Sequence, residues 1–251
     1  MPEASSWVNP LPVRRVQRSA DSGLGDHEWP ATLAPVAQLL RDGIDLGPAT
    51  VLVGENGTGK STIVEAIAMA FGLGAEGGST GARNSTWNSE SPLHESLALV
   101  RGAGASRWGY FVRAETMHGL FTYLGGEAAS NRTKDPDFHT LSHGESFLAL
   151  LSSNRFNGDG FFVMDEPEAG LSFQAQLALV GSLARLASQR GTQVVVATHS
   201  PIIASLPGAT ILELDDDGFH ESTWADLAVV DHYVRYLEAP ERYLRHLVDR
   251  P

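Results

Sequence analysis

The chain has 251 residues, 42% of them hydrophobic and 19% charged, a formal net charge of −12 and no cysteine. That balance suits one substantial core, excludes disulfides, thiolate metal sites and thiol nucleophiles, and argues against a protein that coats nucleic acid through its overall field. The N-terminus MPEASSWVNP lacks a charged region followed by an apolar run, so no signal peptide is expected. No apolar stretch approaches the ~20 residues of a membrane-spanning helix, so the expected location is cytoplasmic and any membrane role would come through a partner.

In chain order, residues 1–48 are rich in Pro, Gly and short polar stretches and read as N-terminal strands and loops, with a strand-like VRRVQ at 13–17. TVLVG at 50–54 is a short apolar run ending in glycine, the pattern of a buried strand. KSTIVEAIAMAFGLG follows, with Ile63, Ile67 and Phe71 on one helical face and glycines closing it, so 49–74 forms a strand–loop–helix unit. Residues 75–140 read as an inserted, small helical or irregular subdomain. It holds a long polar loop to 91, a strand candidate WGYFVRAE at 108–115 and a polar linker SNRTKDPD.

The signals sharpen over 141–215. ESFLALL is helical, FFVMD (161–165) is a buried strand, and LSFQAQLALVGSLARLASQRG is an amphipathic helix stopped by Gly191. QVVVAT (193–198) and TILEL (210–214) are further strands. Residues 216–251 end in two helices, DLAVVDHYVRYL (226–237) and PERYLRHL (240–247), the second opened by Pro240. Continuous apolar strands alternating with helices imply an α/β fold: a mostly parallel sheet flanked by helices, in a single domain spanning 1–251.

Three stretches carry chemistry. GENGTGKST fits G-x-x-x-x-G-K-[ST] from Gly54 to Ser61 and lies between a predicted strand and a predicted helix, the context of a P-loop NTPase. Gly54, Glu55, Asn56, Gly57, Thr58 and Gly59 form a turn whose amides, with the helix N-terminus, can point at phosphate oxygens. Lys60 would reach the β- and γ-phosphates, Ser61 would ligate Mg²⁺, and Thr62 would support the α-phosphate; ATP and Mg²⁺ are the expected cofactors. FFVMDEPE delivers Asp165 to the C-terminal edge of a strand, where open α/β sheets place their ligands. Asp165 would hold the Mg²⁺ shell and Glu166 would polarise a water for attack on the γ-phosphate. ATHSP puts His199 at the end of the next strand, near the γ-phosphate or the attacking water. Lys60, Glu166 and His199 are therefore the expected catalytic residues.

The stretch LSHGES (141–146) opens a helix with Ser142 and Glu145 in capping-box spacing. The order P-loop, Ser-x-Gly-Glu helix start, strand with Asp-Glu, strand with His resembles the ATP-binding cassette (ABC) ATPase family over about 49–215. It looks closest to short stand-alone ATPases grouped with AAA-type or SMC/RecF-like cassettes. GENGTGKST, FVRAE, SHGESFLAL, DEPEAGLS, ATHSPI and PERYLRHL carry that likeness.

The resemblance implies that Ser142 and Gly144, in the place of an LSGGQ signature, bind the γ-phosphate of ATP held by a second copy. Two ATP molecules would then be sandwiched in a head-to-tail homodimer. It also implies that Glu115, in FVRAE, stands where a glutamine usually faces the metal, which would add Glu115 to Ser61 and Asp165 in the metal shell. His143 departs from the signature's first Gly, Glu145 from its Gln, and Ser172 from the Asp frequent in the loop that crosses the dimer. Trp29 is the upstream candidate for stacking on adenine, although a core or surface tryptophan accounts for it as well.

The implied function is a soluble ATPase that hydrolyses ATP to ADP and phosphate to drive a conformational switch on an unidentified protein client, in a DNA-linked or defence process. The alternative is the ATP-binding subunit of a membrane transporter, coupled through 75–140. The net charge does not support direct nucleic-acid binding, and no heptads separate Lys60 from Ser142, so no long coiled coil is expected. Glu166 speaks against a binding module without turnover.

Overall fold

Short runs of β-branched and aromatic residues, closed by glycine or a polar residue, make the most deeply buried strands of this chain; amphipathic stretches between strands make the helices. The computed structural model describes residues 11–80, 91–116 and 143–248. Its elements begin with β1 (Arg15–Arg18), α1 (Ala34–Asp42), β2 (Ile44–Asp45), β3 (Ala49–Gly54), α2 (Lys60–Phe71), β4 (Gly78–Ser79), β5 (Leu97–Val100) and β6 (Gly109–Arg113). They continue with α3 (His143–Leu151), β7 (Gly160–Asp165), α4 (Phe173–Ala187), β8 (Thr192–Thr198), a one-turn α5 (Pro201–Ala204), β9 (Thr210–Asp215), β10 (Gly218–Ser222), α6 (Ala228–Glu238) and α7 (Pro240–Val248).

The main sheet has seven strands in the order β10-β9-β3-β8-β7-β6-β4. Its five central strands, from β9 to β6, run parallel, and each outer strand is antiparallel to its neighbour. A three-stranded antiparallel sheet, β2-β1-β5, lies beside it. Parallel strands joined through helices need cover on both faces, and period-two alternation provides it. Val51, Val53, Phe162, Met164, Val194 and Val196 point to a core shared with α3 and α4. Leu52, Phe161, Val163, Val195 and Ala197 point to the opposite core, built with α1, α2 and the small sheet.

The α/β architecture with a mostly parallel sheet is as the sequence predicts, with several local differences, of which four follow. APVAQLLRD is helical inside a stretch that reads as strands and loops. Its proline sits in the first turn, where the missing N–H costs nothing, and Val36, Leu39 and Leu40 are buried on one face. Helix α4 ends at Ala187 rather than running to Gly191. Gly191, at φ +81°, turns the chain into β8, at a point where a Cβ would fall 2.6 Å from the Asp159 carboxyl carbon. The third difference is β5. The fourth is β10, reached through a tight turn in which the Asp215 carboxylate accepts from the amides of Asp217 (2.9 Å) and Gly218 (3.1 Å).

One buried side chain joins the two sheets. Gln193 in β8 accepts from the Val13 amide (2.8 Å) and donates to the carbonyls of Val13 (2.6 Å) and Gly47 (2.9 Å). Among the described residues, no helix is long and apolar enough to cross a membrane.

Candidate functional site

The site lies at the C-terminal edge of β3, β8, β7 and β6. Strand β3 delivers Gly54, whose hydrogen is required: a Cβ there would stand 2.5 Å from the Leu214 carbonyl oxygen of neighbouring β9. Gly57 (φ +87°) and Gly59 (φ +94°) take left-handed backbone that a side chain would strain. The Thr58 hydroxyl donates to the Glu55 carbonyl at 2.9 Å and closes the turn. Gly59 is the N-cap of α2, and no side chain caps this twelve-residue helix. The amides and the positive end of the helix dipole are thereby left to an external anion.

Lys60 opens α2, is buried, and turns its Nζ back to the Glu55 carbonyl at 2.7 Å. Burial pulls its pKa below the usual lysine value, opposed by the carboxylates of Glu166, Asp165, Glu168 and Glu55. An ammonium inside an acidic cleft, next to free amides, matches a polyphosphate that carries its own metal ion.

The Ser61 hydroxyl donates to Asp165 Oδ1 at 2.9 Å, across α2 and the end of β7. Asp165 is buried, and loss of water pushes its carboxyl up to about 6, opposed by the Ser61 hydrogen bond and the Arg113 guanidinium. The two oxygens are hard donors that suit Mg²⁺, with phosphate and water completing an octahedron. Among the described residues, no group of three His, Cys, Asp or Glu forms a self-sufficient metal cage. The donor set therefore fits a metal that arrives with a nucleotide.

Glu166 follows in left-handed backbone, φ +49°, the one described non-glycine residue with positive φ. Such backbone costs of order 1–3 kcal/mol and persists where its surroundings dictate it. Here the Glu166 amide donates to the Ala197 carbonyl of β8 at 2.9 Å. Its carboxylate lies 3.6 Å from His199 Nδ1. Lys60, Ser61, Asp165, Glu166 and His199, distant in sequence, thus share one edge.

Glu115 lies at the exposed margin of this edge, where its charge still acts on Asp165. It lies on a 3-10 turn after β6, 82% exposed at its side chain, and 3.7 Å from Arg113 Nε. Arg113 in turn reaches Glu65 Oε2 (2.6 Å) and Asp165 Oδ2 (3.5 Å), so its guanidinium lies among three carboxylates. Gly144 is in the first turn of α3, with Leu171 and Ala175 in contact distance of its Cβ position. Ser142 lies outside the described residues. Trp29 is 57% exposed, and Ser172 caps α4 by accepting from the Ala175 amide at 3.3 Å.

Arg113, Glu65, Glu168 and Thr198 also belong to this edge and were not read from the sequence. Glu168 alone left a signal there, as the third carboxylate after a buried strand.

Several known proteins and two family models are similar to this chain. Residues 41–104 match a family model described as "AAA domain", and residues 131–205 match one described as "AAA domain, putative AbiEii toxin, Type IV TA system". The zinc import ATP-binding protein ZnuC of Vibrio cholerae is 29% identical over 155 residues, 61% of this chain and 57% of that protein. An uncharacterized ABC transporter ATP-binding protein of Haemophilus influenzae is 25% identical over 221 residues, 78% of this chain and 81% of that protein. Over these spans the chain is similar to ABC-type ATP-binding proteins and to AAA domains.

Among solved structures, the SMC head domain from Thermotoga maritima aligns with this chain at a TM-score of 0.41 and 17% identity, covering 72% of this chain and 92% of that one. The segments matched by the two family models contain the glycine-rich turn with α2, and the edge from Asp165 to His199.

Proposed function

We propose that the chain binds Mg²⁺-ATP on its P-loop and hydrolyses it to ADP and phosphate. The observation that carries this reading is the meeting of the uncapped N-terminus of α2 with the Ser61–Asp165 pair, beside Glu166 and His199. In this reading the amides from Gly54 to Thr62 and the Lys60 ammonium hold the phosphates, while Ser61 and Asp165 hold Mg²⁺. Bound Mg²⁺ would screen charge between the β- and γ-oxygens. Glu166 takes a proton from the attacking water, and His199 holds that water or the γ-phosphate in line.

Lys60→Ala is expected to abolish ATP binding by calorimetry; unchanged affinity would overturn the P-loop assignment. Glu166→Gln is expected to bind ATP normally yet turn over roughly 10²-fold more slowly, and normal turnover would remove Glu166 from the base role.

The second part of the reading is an ATP-sandwiched head-to-tail homodimer, with Ser142 and Gly144 meeting the partner's γ-phosphate. Gly144 at the start of α3, packed beside the loop after Glu166, supports it. Ser142→Arg is expected to block dimerisation of the Glu166→Gln variant in ATP while leaving monomer binding intact, by sedimentation velocity. A dimer that survives would leave 141–146 as a capped helix start only.

The switch would act on an unidentified protein client, in a cytoplasmic, DNA-linked or defence process. The names of the two transporter relatives favour a second reading, the ATP-binding subunit of a membrane transporter. Purifying Glu166→Gln from its native extract with and without Mg²⁺-ATP separates them: an integral-membrane protein captured only with ATP selects the transporter, a nuclease or nucleic acid the other.

A further inference from the structure

We propose that Glu168 is a positioning residue that holds His199 in place beside Glu166; its consequence for turnover rests on the ATP-hydrolysis reading above. Glu168 lies on the turn after β7, only 5% exposed. Its Oε1 accepts from the Thr198 hydroxyl at 2.5 Å and from the His199 amide at 3.1 Å. The Ser200 amide donates to the same Thr198 hydroxyl at 2.9 Å, and the Ser200 hydroxyl donates to the Gln176 side chain at 2.7 Å. One carboxylate oxygen therefore pins the backbone before the His199 Cα directly and the backbone after it through the Thr198 hydroxyl, while Ser200 ties the segment to the first turn of α4.

The imidazole itself has no short hydrogen bond among the described residues. Its Nδ1 lies 3.6 Å from Glu166 Oε1 and 3.7 Å from Glu168 Oε1, and the side chain is 48% exposed. A half-exposed ring held this loosely takes its position from its backbone, and Glu168 fixes that backbone. Two carboxylate oxygens on the Nδ1 side make Nδ1 the hydrogen-bearing nitrogen. Nε2 is left for whatever occupies the cavity of about 710 Å³ that His199 lines with Glu55, Asn56 and Thr58.

Burying a carboxylate is costly unless its oxygens are paired, and Glu168 Oε2 has no hydrogen-bond partner. An amide or hydroxyl could anchor the loop at lower cost. The carboxylate is explained if its charge, facing Nδ1, sets the tautomer as well as the position.

Two measurements test this. In nucleotide-free protein labelled with ¹⁵N-histidine, the His199 resonances (identified by their loss in His199→Ala) are expected to report a proton on Nδ1. Glu168→Ala is expected to shift them toward a mixture of tautomers, and unchanged resonances would overturn the proposal without reference to ATP. In steady-state hydrolysis, Glu168→Ala is expected to lower kcat about 10- to 100-fold with KM changed less than about 3-fold. Glu168→Gln, which can still accept both hydrogen bonds but lacks the charge that faces Nδ1, is expected to recover only part of that loss.

The loss is expected to vanish in the His199→Ala background, because a positioning residue has nothing left to position. An equal loss in both backgrounds would make Glu168 a general structural residue and overturn the proposal. If Glu168→Ala does not fold, Thr198→Val serves instead, with a smaller loss of about 3- to 10-fold expected. A wild-type chain without ATPase activity would refute the hydrolysis reading while the tautomer measurement still judged Glu168.

Discussion

At the scale of single residues, Asp165 shows how the proposed metal position would come at the cost of stability. Folding strips water from its carboxyl, and the Ser61 hydroxyl and Arg113 guanidinium only partly offset that, leaving it near 6 against an ordinary 3.8. Between those two values the native state keeps a proton that the unfolded chain has released. The group's contribution to stability is therefore full below about pH 4 and is lost as pH rises through about 6. The shift corresponds to a ceiling of about 3 kcal/mol. Asp165→Asn keeps the shape and removes the charge. Without nucleotide it is expected to melt about 2–6 °C higher than wild type at pH 7 and to flatten the pH 4–6 dependence, in calorimetry across that range. A lower melting temperature than wild type at pH 7 would contradict the raised carboxyl. The same variant is expected to lose the Mg²⁺-dependent part of its ATP affinity.

At the scale of elements, Gln193 supplies the buried polar part of the join between the two sheets. Gln193→Leu keeps the volume but leaves the Val13 amide and the carbonyls of Val13 and Gly47 without their partner, in a place where Val13 is fully buried. Each stranded backbone group costs about 1–3 kcal/mol, so a loss of about 2–4 kcal/mol is expected after relaxation. Urea denaturation measures it. Hydrogen exchange should find the Val13 amide deprotected before those of β3 and β8, and uniform loss of protection would mean that Gln193 does not act at this join. What the sequence made legible follows the same division between local and distant. Strands β3, β7 and β8 and the turn from Gly54 to Ser61 are contiguous signals: an apolar run, then the residue that ends it. Helix α1 was hidden because its proline and the Gly- and Pro-rich surroundings suggest loop, although a first-turn proline is compatible with a helix. Strand β10 was hidden because GFHES has little apolar content and sits on a sheet edge. The pairing of Arg113 with Glu65 spans 48 positions, and that of Thr198 with Glu168 spans 30. Neither exists until sheet order sets β6, β7 and β8 side by side under α2.

At the scale of the whole molecule, the charge of −12 bears on the proposed dimer. Each copy would meet another of the same sign, and each bound ATP adds negative charge that Mg²⁺ and Lys60 neutralise only in part. Long-range repulsion between like-charged bodies is screened over about 10 Å at 0.1 M salt, whereas the phosphate contacts of the proposed sandwich would be short and shielded from solvent. At saturating Mg²⁺-ATP, the Glu166→Gln dimer is therefore expected to tighten several-fold as salt rises from about 0.05 to 0.3 M, by sedimentation equilibrium. Saturation matters because salt also weakens the attraction of ATP for Lys60, and at low nucleotide the two trends would oppose each other. A dimer that instead loosens steadily with salt would place complementary charges across the interface. The arginines of α6 and α7 (Arg235, Arg242 and Arg245), set against an otherwise acidic chain, would then be the first residues to replace.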